Sequence, residues 1–139
     1  MLSVTTHSPV ETENFAASIA PKLNPGTVLA FRGGLGAGKT TFTRGLARGL
    51  GSHSDVSSPT FALVHEYEGT IPLYHFDMYR ISSFDDLYST GFFDYLESGG
   101  ILAIEWSENI EEALPENTIF VSIIPDGDSR TITLEGGPF

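Results

Sequence analysis

Apolar and polar positions along the chain keep two rhythms, one helical and one of strands. Phe15, Ala16, Ile19 and Leu23 recur on one face behind Ser8-Pro9-Val10-Glu11, a capping box with proline at the first helical position. This predicts a helix over 9–20 that packs on a sheet, closed by Pro21 and the Asn24-Pro25-Gly26 turn. Val28-Leu29-Ala30-Phe31-Arg32 is a short apolar run and reads as a buried strand. From Thr41 to Leu50 the helical rhythm returns at Phe42, Leu46 and Leu50, with Gly51 as its stop. Gly45 and Gly49 lie inside this helix, where their missing side chains would let it approach a strand closely. Arg44 and Arg48 form a basic ridge away from the apolar face.

The period then shortens. Phe61–Tyr67 and Ile71–Phe76 are rich in β-formers and flank Glu68-Gly69-Thr70, which predicts a hairpin. Alternation puts Leu73, His75 and Asp77 on one face of its second strand and Tyr74 and Phe76 on the other. Ser83-Phe84-Asp85-Asp86 caps a short helix containing Leu87 and Tyr88; Gly91 breaks it, and Phe92–Leu96 forms another turn. Ile101-Leu102-Ala103-Ile104-Glu105 reads as a buried parallel strand ending in a carboxylate. Ile119–Ile124 and Thr131–Leu134 make a closing hairpin around Pro125-Asp126-Gly127-Asp128. Strands alternating with helices predict an α/β fold, and 139 residues without repeats or linkers predict one domain over 1–139.

Between the first strand and the second helix stands Gly33-Gly34-Leu35-Gly36-Ala37-Gly38-Lys39-Thr40, followed by Thr41. It matches G-x-x-x-x-G-K-[ST], the phosphate-binding loop. Wrapping a triphosphate with backbone N–H groups requires that side chains stay out of the way, which glycine allows. Lys39 supplies a point charge for the β- and γ-phosphates, and the Thr40 hydroxyl suits Mg²⁺. The motif follows a strand and opens a helix whose N-terminal dipole faces the phosphates. The bland alternative, a glycine-rich turn that binds nothing, would not need the lysine, the threonine and this setting together.

Charge narrows the partners. The net charge is −11. Residues 1–50 carry five basic and two acidic side chains, whereas residues 51–139 carry two basic and sixteen acidic ones. Such a chain is a poor binder of DNA or RNA on its own, because that affinity comes mainly from neutralising phosphates. A role in RNA chemistry would reach the RNA through a protein partner. Cysteine is absent, which excludes disulfides and thiolate metal sites. No apolar run approaches a membrane span and no signal-peptide pattern is present, so the expected location is the cytoplasm.

Magnesium bound to a nucleotide takes one or two carboxylates beside phosphates and waters. Two acids stand at strand ends: Glu105, favoured as the direct ligand by its apolar strand, and Asp77, which could hold a metal-bound water or orient the attacking one. An ordinary surface acid is the alternative for each. Thr60, in Ser57-Ser58-Pro59-Thr60-Phe61, sits where phosphate-loop switch proteins keep a γ-phosphate sensor, or it merely caps a strand. Trp106 either packs in the core or lies beside bound nucleotide. His75 reads as a hydrogen-bonded core histidine rather than a base, and Arg80 and Arg130 are candidate phosphate or partner contacts.

Four stretches together resemble one family: Gly33–Thr41, Ser58–Val64, Tyr74-His75-Phe76-Asp77-Met78-Tyr79-Arg80 and Glu105-Trp106. It is the TsaE (formerly YjeE) family, small bacterial ATPases of tRNA threonylcarbamoyladenosine synthesis, and the likeness spans roughly residues 5–135. It implies a P-loop NTPase-like three-layer fold with a mixed, parallel plus antiparallel, sheet. It further implies slow hydrolysis of Mg-ATP and work with the TsaB–TsaD pair that modifies adenosine 37 of tRNA, with tRNA met only indirectly. By the same likeness Thr40 and Glu105 ligate Mg²⁺, while Asp77, Thr60 and Trp106 matter for turnover. Adenine would lie near Ser8–Thr12 and Gly127–Arg130. Gly34 stands where the family usually carries an acid, and Ser107 where proline is common. A small-molecule kinase and a nucleotide-dependent scaffold remain as competing readings. The generic phosphate loop favours the first, and the acidic C-terminal part favours the second.

Overall fold

The computed structural model describes residues 1–32, 38–53 and 64–139. Its elements follow in the order β1 (Leu2–Thr6), α1 (Pro9–Ile19), β2 (Val28–Arg32), α2 (Lys39–Gly49), β3 (Val64–Tyr67) and β4 (Leu73–Asp77). Then come α3 (Phe84–Ser89), α4 (Phe92–Glu97), β5 (Ile101–Glu105), a kinked 3₁₀ segment (Ser107–Ala113), β6 (Ile119–Asp126) and β7 (Ser129–Glu135). The strands form one seven-stranded sheet in the order β1-β7-β6-β2-β5-β4-β3. Its middle, β6-β2-β5-β4, is parallel. Both margins are antiparallel: β3 pairs with β4, and the β6–β7 hairpin is flanked by the N-terminal β1. With helices on both faces, this is the P-loop NTPase-like three-layer α/β fold with a mixed sheet.

Alternation along the strands sorts the core into two layers. Leu73, Ile101, Ala103, Leu29 and Phe31 join Phe42, Leu46, Ala16 and Ile19 beneath α1 and α2. Tyr74, Phe76, Leu102, Ile104 and Val28 meet Leu87, Phe92 and Ile110 on the opposite face. The face expected for His75 and Asp77 is therefore the one that carries α2.

Ser8 caps α1 as its sequence predicts, its Oγ accepting the Glu11 N–H at 3.1 Å. The Glu11 carboxylate, however, accepts from His7 N–H at 3.3 Å rather than closing back on Ser8. Gly45 and Gly49 do not admit a strand. They face α1, where a Cβ on Gly45 would collide with the Glu13 carbonyl and one on Gly49 would stand 2.7 Å from the Ala17 carbonyl oxygen. Arg48 of the basic ridge closes the same seam, donating to Glu13 at 3.0 Å and to Asn14 at 2.7 Å.

Two elements have no forecast in the apolar pattern. β1 carries only Leu2 and Val4 as apolar residues and owes its form to pairing with β7, from Leu2 opposite Leu134 to Thr6 opposite Arg130. The 3₁₀ segment holds Ile110 as its single buried apolar residue, too little to register as a period. Of the expected first hairpin strand, Phe61, Ala62 and Leu63 lie outside the described residues; the rest pairs with β4 as expected.

Candidate nucleotide-binding cleft

α2 begins at a residue in the left-handed region, Gly38, with φ of 92°. Among the described residues a Cβ there would meet nothing closer than 3.8 Å, and the left-handed backbone by itself calls for glycine. The first N–H groups of α2 have no partner within the helix, and they open on a cleft of about 430 Å³. Gly38, Lys39, Thr40 and Thr41 form one wall of this cleft. Ser8, Pro9 and Thr12 from the start of α1 form another, and Asp128 and Arg130 of the β6–β7 turn a third. Glu105, at the end of β5, completes the lining.

Local chemistry fixes each wall. The hydroxyls of Thr6 and Thr12, both buried, bond each other at 2.6 Å and pin the first turn of α1 to the end of β1. Thr43 Oγ1 donates to the Lys39 carbonyl at 2.9 Å, inside the first turns of α2. Arg130 donates through Nη1 to the carbonyls of Gly127 and Ser129, at 3.0 and 2.9 Å, and so shapes the turn that carries Asp128.

Glu105 is held from below. Its Oε2 lies 2.5 Å from Nε2 of His75, a side chain with no exposed surface. The other ring nitrogen, Nδ1, is buried and has no hydrogen-bond partner among the described residues. A proton on Nδ1 would be a buried donor without an acceptor, so the ring carries its proton on Nε2 and donates it to the carboxylate. His75 is thus the hydrogen-bonded core histidine its sequence context suggests, and its partner is the acid of the cleft.

Trp106 follows Glu105 with φ of 58°, the one non-glycine residue at positive φ among those described. Its indole meets the ring of Tyr79 at 4.9 Å between centroids, and Lys39 Nζ stands 5.8 Å from its own. Ser107 is buried and donates its hydroxyl to the Phe31 carbonyl at 2.9 Å. That bond ties the end of β5 to the end of β2.

The structure therefore gathers Gly38, Lys39, Thr40, Thr41, Glu105 and Arg130 around one cleft, with Trp106 beside Lys39. Asp77 is opposite Glu105 in register but does not line the cleft; its Oδ1 accepts the Tyr79 N–H at 2.9 Å. Gly33, Gly34, Leu35, Gly36, Ala37 and Thr60 lie outside the described residues. The sequence reading missed the His75–Glu105 bond, the Tyr79–Trp106 contact and the Ser107 bridge. None has a local signal, because each joins elements distant along the chain.

A strand followed by a helix whose N-terminus opens on a cleft, with an acid ending the adjacent parallel strand, is an arrangement that suits an anionic ligand in open three-layer α/β folds. Residues 6–132 match the family model "Threonylcarbamoyl adenosine biosynthesis protein TsaE". The chain is 44% identical over 130 residues to the tRNA threonylcarbamoyladenosine biosynthesis protein TsaE of Bacillus subtilis, covering 92% of this chain and 81% of that one. To the protein of the same name from Treponema pallidum it is 37% identical over 131 residues, covering 93% and 96%. The crystal structure of Bacillus subtilis YdiB superposes with a TM-score of 0.77 at 37% identity, over 97% of this chain and 84% of that one. The chain belongs to the TsaE family.

Proposed function

We propose that this chain is a magnesium-dependent ATPase of slow intrinsic turnover that serves threonylcarbamoylation of tRNA adenosine 37 together with a TsaB–TsaD pair. Its family membership supports the part in threonylcarbamoyladenosine biosynthesis. The observation that carries the ATPase reading is the cleft itself. The N-terminus of α2, with Lys39 and Thr40, faces a carboxylate that a buried histidine holds in place. An anion site with Glu105 in its wall repels a triphosphate unless a cation stands between them. Thr40 and Glu105 offer the hard oxygens that magnesium takes beside phosphates and waters.

When bound, the ion would neutralise charge on the phosphates. Everything else falls to this chain's own groups. Lys39 and the α2 N-terminus bind the phosphates, and His75 keeps one Glu105 oxygen engaged so that the carboxylate holds a single orientation. Ser8, Pro9, Thr12 and the Asp128–Arg130 turn enclose the nucleoside end. Phosphoryl transfer asks mostly for positioning and charge neutralisation, so a cleft with no second arginine on its wall suits slow turnover that a partner accelerates.

Phosphate release from Mg-ATP, measured alone and with TsaB–TsaD plus tRNA, tests this reading. Low release that rises with the partners supports it, and wild-type rates in Lys39→Ala would overturn it. One observation favours a non-catalytic, nucleotide-dependent scaffold: Asp77, the candidate for orienting water, is turned to the Tyr79 backbone instead of the cleft. Under that alternative, an Asp77→Ala protein would still support many rounds of tRNA modification.

A further inference from the structure

α3 buries one side chain, Leu87, and presents two large rings to solvent. Phe84 is 67% exposed and Tyr88 68%. One helical turn apart, they pack with half-buried Phe93 of α4 into a triad with centroid separations of 6.2, 5.7 and 6.5 Å. A six-residue helix could have carried small polar residues at these positions at no cost to its single anchor. Exposed aromatic clusters rimmed by polar residues mark binding surfaces, and aromatic side chains are enriched at protein–protein interfaces.

Phe84 of this triad lines a groove of about 400 Å³ between α3 and the 3₁₀ segment, floored by Ile81, Leu87 and Ile110. Its rim is acidic. Glu108, Glu111 and Glu112 are exposed along the 3₁₀ segment and line the groove, Glu111 paired with Arg32 at 3.1 Å, and Asp85 and Asp86 are exposed nearby on α3. Residues 81–129 contain no lysine, arginine or histidine. A nucleic acid would be repelled by this field, and a second copy of the chain meeting it through the same face would set acid against acid. The complementary occupant is a protein surface that offers lysine or arginine around an apolar pocket.

The placement matters as much as the chemistry. β4 runs through Asp77 into the turn before α3, and β5 runs through Glu105 and Trp106 into the 3₁₀ segment. Asn109 Nδ2 clamps the two exits together by donating to the carbonyls of Met78 and Tyr79, at 2.9 and 3.2 Å. A partner seated in the groove therefore touches the continuations of both strands that end in candidate site acids.

We propose that the Phe84–Tyr88–Phe93 ledge and the adjoining acidic groove are the surface on which a basic protein partner docks, with the exposed rings as its apolar anchors. The inference rests on the partnership proposed above, so TsaB–TsaD is the probe. Calorimetric titration of the full chain against TsaB–TsaD, at low and high salt, tests it. Phe84→Ser with Tyr88→Ser is expected to weaken binding about tenfold or more while leaving ATP affinity unchanged. Glu108→Lys with Glu112→Lys, both fully outside the core, is expected to weaken it at low salt and flatten its salt dependence. Wild-type affinity in both double variants would overturn the docking surface alone. Absence of binding by the unaltered chain would instead overturn the TsaB–TsaD partnership, and this proposal with it.

Discussion

The two faces of the sheet are built to different rules. On one, α1 and α2, eleven residues each, are pressed together through Gly45 and Gly49 and cover the strands that lead to the cleft. On the other, α3, α4 and the 3₁₀ segment run six, six and seven residues, and each fully buries one apolar side chain: Leu87, Phe92 and Ile110. Long amphipathic helices bury a stripe and can hold a helix N-terminus rigidly against a ligand. Short ones fully bury a single apolar side chain and leave more of their residues at or near the surface, where shape and charge can serve recognition. The contrast matches the two proposals, a ligand held on one face and a partner met on the other.

The contrast breaks first at Phe92, which has no exposed surface and meets Phe76 edge-on at 5.8 Å. Phe92→Ala should cost about 3–5 kcal/mol in denaturant unfolding, because α4 loses its anchor. The opposite face should be less tolerant of additions than of losses. Gly45→Ala drives a methyl into the α1 backbone and should cost about 1–3 kcal/mol, and a melting temperature equal to wild type would show that the helices are free to move apart.

A functional cut comes next. His75→Leu removes the proton donor to Glu105, and magnesium affinity in the presence of a non-hydrolysable ATP analogue should fall about tenfold or more by calorimetry. His75→Gln keeps a donor and should recover part of the loss. Equal affinities in all three proteins would mean the histidine only fills space. Phe84→Ala, by contrast with Phe92→Ala, should change stability by no more than about 0.5 kcal/mol, since its ring is largely in water.

The smallest effect concerns Asp86. The backbone N–H of Ser82, then the Ser82 hydroxyl, hold its carboxyl below its ordinary value of 3.8. A lowered folded-state value stabilises the fold above pH 3.8, and that contribution disappears as pH falls through the folded value. Asp86→Asn should therefore melt slightly below wild type at neutral pH and together with it in acid. A gap that persists in acid would point to a cause other than charge.

Much of this was legible in the residues because it is written locally. The buried run at Val28–Arg32, the helix start at Gly38-Lys39-Thr40 and the acid ending Ile101–Glu105 are each set by neighbours in sequence, and each stands where its pattern predicts. β1 escaped because two apolar residues make no period, and only β7 makes it a strand. The walls at Ser8–Thr12 and Asp128–Arg130 came from family likeness, not from pattern, since nothing local draws the two ends of the chain to one cleft. The grip of His75 on Glu105 depends on how β4 registers with β5, which no single stretch encodes. The misplaced prediction for Gly45 and Gly49 has a similar root: glycine spacing announces a close approach without saying to what.

The central strand, finally, has a temporal consequence. β2 lies between β5 and β6, so both its neighbours come from Ile101 onward, and the cleft is closed by a turn later still. During synthesis the glycine-rich loop leaves the ribosome long before any of these partners exists. The growing chain has no closed pocket for a nucleotide until its last hairpin emerges. A nucleotide bound as proposed above would favour only the completed fold, and so would act as a late latch on a chain whose glycine-rich motif is made first.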